Sequence, residues 1–319
     1  MARVLVTRPL TEGGTDPLLE AGHEIVERDA PLSPVELMAL AAECDGIVCH
    51  LTDRMDAAVL EVGRAGRLRV VANAAVGYDN IDVVTAQTLG ITVCNTPGVL
   101  DDTTADLAFL LILAATRQAS GAERDLREGR WKGWGFGTHL ARDVHGSVLG
   151  LVGFGRIARA VAQRAGGFDM DVIHTARHDT GLRGFVPTLD EVLRRSDIVS
   201  LHVPLSESTR HLIGAAELAL MKPTAVLINT ARGPVVDEDA LADALEAGTI
   251  FAAGLDVFDG EPSVNPRLLS APRSTLLPHI GSATIATRTR MARLACQGVC
   301  DVLAGLTPPN VVLAARQPT

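Results

Sequence analysis

Short apolar runs alternate with longer amphipathic segments along the first hundred residues. The runs "RVLVT", "DGIVCHL" and "LRVVANAA" are rich in β-branched residues, which is typical of buried strands. One of the segments between them opens with "SPVE" (residues 33–36), a capping box with proline at the first helical position. The pattern predicts a small βαβ domain that ends near "TVCNTPGV", where a Pro-Gly pair interrupts it.

A second alternation follows a long helical segment. The stretch from Thr104 to Gln118 is apolar nearly all round, as expected of a helix that is buried between two domains and joins them. Six strand-like runs with helical crossovers follow, from "SVLGLVG" to "STLLPHI", and they predict a doubly wound parallel sheet. From Ser282 to about Leu303 the pattern is that of one long helix, which we expect to pack back on the first domain. The fold class predicted is α/β with a discontinuous first domain.

Composition narrows the partners and the compartment. The 319 residues suggest two domains, and 47% hydrophobic with only 3% aromatic residues indicates an aliphatic core. A net charge of −9 without a basic run argues against nucleic acid as a partner. The five cysteines include no C-x-x-C pair, so we predict reduced thiols, a cytoplasmic location, no disulfide framework and no metal site. The longest apolar stretch, "LAFLLILAA", is half the length of a membrane span, so no membrane partner is expected.

A glycine turn opens the second set of strands. The segment "GFGRIA" (residues 153–158) has the form G-x-G-x-x-A, follows the run "LGLV" and begins a helix. In that context the glycines let backbone amides approach a pyrophosphate at the helix N-terminus. We therefore predict a dinucleotide site that includes Gly153, Gly155, Arg156 and Ile157.

The end of the next predicted strand, "DVIHTARHD", bears on the choice of coenzyme. NAD sites place an acidic residue there to bind the ribose 2′-hydroxyl, whereas this strand ends in Ala176-Arg177. An arginine without a neighbouring carboxylate suits a 2′-phosphate, so NADP(H) is preferred over NAD(H). NAD(H) stays open as an alternative, because Asp179 follows closely and Arg177 could be an ordinary solvated residue.

Three more strand ends carry polar residues to the same predicted edge. Arg232 follows "AVLINTA", the segment "GLDVFDGEP" carries Asp256 and then Glu261, and His279 follows "STLLP". A single histidine beside apolar residues is more often structural than catalytic. An arginine, a carboxylate and a histidine converging beside a nicotinamide, however, are the groups that carbonyl reduction requires.

These motifs together resemble the D-isomer-specific 2-hydroxyacid dehydrogenase family. The resemblance spans the chain through "VGYDNID", "TTADLAFLLIL", "LGLVGFGRIARAVA", "SLHVPLSESTRHLI", "LINTARGPVVDEDALADAL", "GLDVFDGEP" and "PHIGSAT". The segments "CHLTDRMD" and "WKGWGFGTHLARDVHG" are most similar to its glyoxylate/hydroxypyruvate reductase branch. The resemblance implies two Rossmann-like domains: a substrate domain of residues 1–100 and 284–319, and a coenzyme domain of residues 101–283. It also implies a homodimer.

The resemblance further implies a role for each site residue. His279 would give a proton to the substrate's carbonyl oxygen, Glu261 would orient and stabilise the imidazolium, and Arg232 would hold the substrate carboxylate. Further substrate contacts would come from Val76, Gly77 and Ser282, and from Trp134 reaching the neighbouring subunit's pocket. The coenzyme site would include Thr104, His202, Pro204, Thr230, Ala231, Asp256 and His279, besides the glycine turn and Ala176-Arg177.

The predicted activity is NAD(P)H-dependent reduction of a small 2-oxo acid, glyoxylate or hydroxypyruvate, to the D-2-hydroxy acid. Formate or phosphite oxidation on the same scaffold is one alternative, although the formate branch lacks the glutamate that Glu261 supplies. Phosphoglycerate oxidation is another, but it would require a basic cluster where this chain offers His50 and Arg54. A dinucleotide-sensing, corepressor-like binding protein is the alternative outside enzymes.

Overall fold

The structure, a computed structural model, describes residues 1–314 of the chain. Their contacts divide it into two compact units, one made of Met1–Leu100 with the chain from Ser282 onward and one of Asp101–Gly281. The second unit thus ends two residues before the predicted boundary at residue 283. Within the described residues, no helix is both long enough and apolar enough to cross a membrane.

The first unit begins with five parallel strands in the order β2-β1-β3-β4-β5. Its capping box forms as predicted, with the Ser33 hydroxyl accepting a bond from the Glu36 amide and the Glu36 carboxylate accepting one from the Ser33 amide. The sequence pattern did not indicate β2, because this edge strand buries only Val26. The elements are β1 (Arg3–Val6), α1 (Asp16–Glu20), β2 (Glu24–Glu27), α2 (Pro34–Glu43), β3 (Gly46–Cys49), α3 (Ala57–Ala65), β4 (Val70–Asn73), α4 (Val83–Leu89) and β5 (Thr92–Cys94).

The second unit holds the predicted six-stranded parallel sheet, in the order β11-β10-β9-β8-β6-β7. Strand β6 has β7 on one side and β8 to β11 on the other, as in a doubly wound sheet, and helices cover both faces of the sheet. The elements are α5 (Asp101–Thr116), α6 (Ala119–Arg127), β6 (Val148–Val152), α7 (Arg156–Ala165), β7 (Asp171–Thr175), α8 (Leu189–Arg195), β8 (Ile198–Leu201), α9 (Ala215–Leu220), β9 (Val226–Asn229), α10 (Glu238–Ala247), β10 (Ala252–Leu255), α11 (Pro266–Ser270) and β11 (Ser274–Leu276). The predicted α/β class with two parallel sheets is confirmed.

The long C-terminal helix belongs to the first unit, as its apolar face predicted. This helix, α12 (Ile285–Leu303), packs against β3 and β4 through Ala295 and Val299. The side chain of Val299 also approaches Gly46 at the start of β3, where a Cβ would lie 2.8 Å from Val299 Cγ1. Burial of this face therefore joins the two ends of the chain into one core.

Candidate functional site

Four strands of the second unit end at one edge of the sheet, and the predicted functional residues follow them. The glycine turn follows β6, Arg232 follows β9, Asp256 follows β10 and His279 follows β11. All the strands are parallel, so these segments leave the sheet on the same side. This edge is where open α/β sheets bind their ligands.

His279 and Glu261 form a hydrogen-bonded pair at this edge. Nδ1 of His279 lies 2.6 Å from Oε2 of Glu261, and Oε1 of Glu261 accepts a bond from the Phe258 amide at 2.9 Å. Burial by itself would raise the pKa of Glu261, but the bonds from His279 and Phe258 outweigh it and hold the pKa below its usual range. The carboxylate is therefore ionised, so Nδ1 is the donor and the ring orientation is set.

Asp256 holds the backbone just beyond His279. Its Oδ1 accepts from the Ile280 amide at 2.8 Å and its Oδ2 accepts from the Gly281 amide at 2.7 Å. Burial raises the pKa of Asp256 to about 6, although these amides and His279 favour the charged form. A Cβ on Gly281 would lie 3.2 Å from Asp256 Oδ2 and 3.5 Å from Cγ2 of Thr104, so the contact is tight. Asp256, expected to line the coenzyme site, thus already uses both oxygens to shape the His279 segment.

Asn229 shapes the turn that carries Arg232, and sequence reasoning did not select it. The Asn229 side chain donates to the Arg232 carbonyl at 2.9 Å and accepts from the Ala231 amide at 3.0 Å. Arg232 Nη1 donates to the Ala231 carbonyl at 2.8 Å, and its charge also lowers the pKa of Glu261. The signal in the sequence was a polar residue at the end of the apolar run "AVLIN". In the structure this Asn229 is 1% exposed.

The glycine turn forms a cradle that side chains would fill. Gly153 has φ +87°, and a Cβ there would lie 2.6 Å from the His202 carbonyl oxygen. Gly155 is the N-cap of α7 without a side-chain bond, and a Cβ there would meet only open space. The hydroxyl of Thr230 is buried without a partner among residues 1–314. The open, uncapped helix N-terminus fits the pyrophosphate of a nicotinamide dinucleotide, and the unpaired Thr230 hydroxyl, after β9 on the same edge of the sheet, is a further donor.

The other predicted coenzyme residues lie around this cradle. Arg156 at the start of α7 forms an ion pair with Asp101, with Nε 3.2 Å from Oδ2. His202 and Pro204 follow β8, and burial lowers the pKa of His202 to about 4, so its ring is neutral. Ile157 lies in the first turn of α7.

The end of β7 carries an exposed arginine, and Asp179 follows it two residues later. Ala176 and Arg177 follow Thr175, the last residue of the strand, and the Arg177 side chain is exposed. The carboxylate of Asp179 accepts a bond from the Gly181 amide at 2.8 Å. Asp179 is thereby engaged in its own turn.

The remaining predicted substrate residues lie elsewhere. Val76 and Gly77 follow β4 in the first unit, where their carbonyls accept bonds of 2.7 Å from the side chains of Asn95 and Asn73. Ser282 precedes α12 in the same unit. Trp134 belongs to the second unit, on an irregular segment after α6, and is 81% exposed. No group of His, Cys, Asp or Glu within residues 1–314 is arranged to hold a metal ion.

Comparison with known proteins agrees with this geometry. The family model of the D-isomer specific 2-hydroxyacid dehydrogenase NAD binding domain matches residues 109–281. A glyoxylate reductase of Korarchaeum cryptofilum (strain OPF8) is 46% identical over 97% of this chain and 95% of its own.

Solved structures extend the agreement to the whole fold. The NADPH-dependent glyoxylate/hydroxypyruvate reductase of Sinorhizobium meliloti, in complex with NADP and malonate, is 34% identical, with a TM-score of 0.88 over 99% of both chains. A glyoxylate reductase from Paecilomyes thermophila is 32% identical, with a TM-score of 0.84 over 98% of both chains. The predicted resemblance is confirmed, and a nicotinamide dinucleotide is the cofactor. The chain belongs to the D-isomer specific 2-hydroxyacid dehydrogenase family and is an NAD(P)-dependent oxidoreductase.

Proposed function

We propose that the protein reduces a small 2-oxo acid, glyoxylate or hydroxypyruvate, to the D-2-hydroxy acid with NADPH. The observation that carries this proposal is the 2.6 Å bond between His279 and Glu261 at the edge that also bears Arg232 and the glycine turn. Relatives with glyoxylate reductase names match nearly the full length of the chain. The pair supplies a proton donor, and the arginine supplies a carboxylate ligand.

The proton is the first contribution of the protein. The bound coenzyme supplies the hydride for C2 of the substrate. Glu261 holds Nδ1 of His279, so Nε2 is the atom left to donate a proton to the carbonyl oxygen. The bond to Glu261 also fixes the orientation of the ring, so Nε2 is positioned for this transfer.

Substrate binding is the second contribution. The planar guanidinium of Arg232 can hold two oxygens at once, which suits the carboxylate and the keto oxygen of a 2-oxo acid. We propose that the backbone at Val76 and Gly77, and Ser282, also contribute to substrate binding. Asn73 and Asn95 hold that loop by its carbonyls, which supports a fixed backbone for binding.

The choice of NADPH rests on the strand end at β7. Arg177 is exposed there, and Asp179, the nearest candidate for binding a ribose hydroxyl, is bound to the Gly181 amide. A charge-assisted contact to phosphate contributes roughly 1.5–3 kcal/mol, which is about tenfold or more in binding. Arg177→Ala should therefore raise KM for NADPH about tenfold and leave KM for NADH little changed. Equal effects on both coenzymes would contradict this role for Arg177.

We also propose that the protein is a homodimer. The segment after α6 exposes Trp134 and Phe136, whose rings meet edge to face with their centroids 5.4 Å apart. Exposed aromatic residues on an irregular segment are typical of subunit interfaces. Trp134 would then reach the substrate pocket of the neighbouring subunit, and analytical ultracentrifugation of Trp134→Ala tests the interface.

A reducing compartment, the cytoplasm, completes the proposal. All five cysteines are buried and unpaired. Burial raises the pKa of Cys296 and of Cys94 to about 12, so these thiols are unreactive.

An NADPH-oxidation assay across 2-oxo acids tests the activity. We expect kcat/KM to be much higher with glyoxylate or hydroxypyruvate than with phenylpyruvate. A higher value for phenylpyruvate would contradict the proposed substrate class. Formate, phosphite and 3-phosphoglycerate with NADP⁺ serve as comparators, and dinucleotide binding without turnover of any acid would indicate a sensing protein instead.

A further inference from the structure

A stack of aromatic rings connects the glycine turn with the end of β7. The Phe154 ring stacks on the imidazole of His174, with centroids 3.6 Å apart and planes 17° apart. Phe185 meets the imidazole at an angle, with centroids 5.9 Å apart. His174 is therefore fixed between two rings directly before the strand end that carries Arg177.

The imidazole in this stack is neutral. His174 is completely buried, and its pKa is lowered by burial and by the charge of Arg159, with Asp179 opposing. Its Nε2 shares a hydrogen bond of 2.7 Å with the hydroxyl of Thr180. A neutral ring can stack close to an arginine without repulsion, so the stack can support a cationic side chain.

Arg159 is the cationic side chain at the other end of the stack. It lies in the first turn of α7, with its guanidinium carbon 5.6 Å from the centre of the Phe154 ring. Its Nε donates to the Phe154 carbonyl at 3.4 Å. The side chain is exposed, and no carboxylate in the described part of the chain pairs with Arg159 or Arg177. Both guanidinium groups are thus available to an anion.

We propose that Arg159 and Arg177 together bind the 2′-phosphate of NADPH, with Phe154 and His174 as positioning residues for Arg159. This inference rests on the proposed use of NADPH and adds a second selecting residue to it. A dianionic phosphate offers three oxygens, which is enough for two guanidinium groups. Asp179 accepts a bond from the Gly181 amide at 2.8 Å and pairs with neither arginine.

The test compares two ligands that differ by the 2′-phosphate alone, 2′,5′-ADP and 5′-AMP, by titration calorimetry on the full chain. Arg159→Gln should weaken 2′,5′-ADP about tenfold and leave 5′-AMP unchanged, as for the loss of one charge-assisted contact at an exposed site. Arg159→Lys should recover part of the loss. Arg195→Gln is the matched control: it removes an exposed arginine of α8 that pairs with Glu191 at 2.9 Å, and should change neither ligand.

The positioning residues have a separate readout. Phe154→Leu removes the ring beneath Arg159 and should reduce the preference for 2′,5′-ADP over 5′-AMP. Phe154→Tyr retains an aromatic ring and should keep the wild-type preference. Because the same turn binds both ligands, their ratio isolates the effect on the 2′-phosphate.

Each other outcome overturns a defined part of the proposal. Equal weakening of both ligands by Arg159→Gln would show that Arg159 supports the turn rather than reading the phosphate. If the variant keeps the wild-type affinity for both ligands, Arg159 is an ordinary surface residue and NADPH preference rests on Arg177. If the wild type itself binds both ligands equally, the proposed NADPH preference fails together with this inference. Failure to reduce glyoxylate with either coenzyme would refute the activity alone, because these binding ratios do not depend on turnover.

Discussion

Replacement of Glu261 by glutamine tests whether the histidine and the carboxylate act as a unit. The glutamine keeps the size of the side chain and can still accept a bond from the Phe258 amide through its oxygen. Its amino group then faces Nδ1 of His279, which must accept that hydrogen bond as a neutral ring. The variant therefore removes the charge that favours a protonated imidazole and adds a donor that opposes it.

The size of the effect follows from the pair's geometry. A 2.6 Å charge-assisted bond is worth roughly 1.5–3 kcal/mol, and about 1.4 kcal/mol corresponds to a factor of ten in rate. Both side chains are partly exposed, 26% for His279 and 21% for Glu261, so solvent screening favours the lower end. Reduction needs the proton and is lost as pH rises. On the alkaline limb, kcat for reduction should therefore be about tenfold lower in the variant than in the wild type.

The assay is NADPH oxidation at saturating glyoxylate between pH 5 and pH 10, with circular dichroism at each pH to confirm folding. Glu238→Gln is the matched control, since Glu238 also accepts a backbone amide of the same loop, that of Asp259 at 2.7 Å, without a histidine partner. In Glu238→Gln, the alkaline limb of kcat for reduction should match that of the wild type. A wild-type profile in Glu261→Gln would refute the coupled pair and return His279 to a structural role.

Three further predictions use the same edge of the sheet. His279→Ala should lower kcat on the order of 10²–10⁴-fold in stopped-flow reduction, the usual worth of a positioned acid, with coenzyme affinity by fluorescence titration little changed; wild-type kcat would exclude the acid role. Gly153→Ala should destabilise the protein and weaken coenzyme binding, because φ is +87° and the Cβ would lie 2.6 Å from a backbone oxygen; thermal unfolding with and without NADPH measures both, and a wild-type Tm would contradict the fit. Burial lowers the pKa of His202 to about 4, so its neutral ring contributes stability above pH 6.5 that is lost as pH falls toward 4. Urea unfolding between these pH values should show a loss of unfolding free energy of at most about 3 kcal/mol in the wild type and no such loss in His202→Gln. An equal loss in both proteins would exclude His202 as the cause.

The sequence by itself determined the class of fold and the edge that bears the site. Apolar runs separated by amphipathic helices specify parallel strands, because right-handed crossovers bring each strand back in the same direction. All strands then end on one side, so the position of a residue just after its strand was enough to predict that Arg232 and His279 share an edge. The glycine turn was equally readable, since its spacing, preceding strand and following helix are all local.

The tertiary structure alone decided what each polar group bonds to. The place of Asp256 in the coenzyme site stays a prediction, and the structure adds that its carboxylate holds the amides of Ile280 and Gly281, which lie 24 and 25 residues further along the chain. The stacking of Phe154 on His174 likewise joins the turn after β6 to the neighbouring strand β7, and no local pattern encodes it. Periodicity reports which face of an element is buried, whereas a hydrogen bond depends on distances of a few tenths of an ångström between segments brought together by packing. That is why the edge of the sheet could be predicted and the contacts made by Asp256, Asn229 and His174 could not.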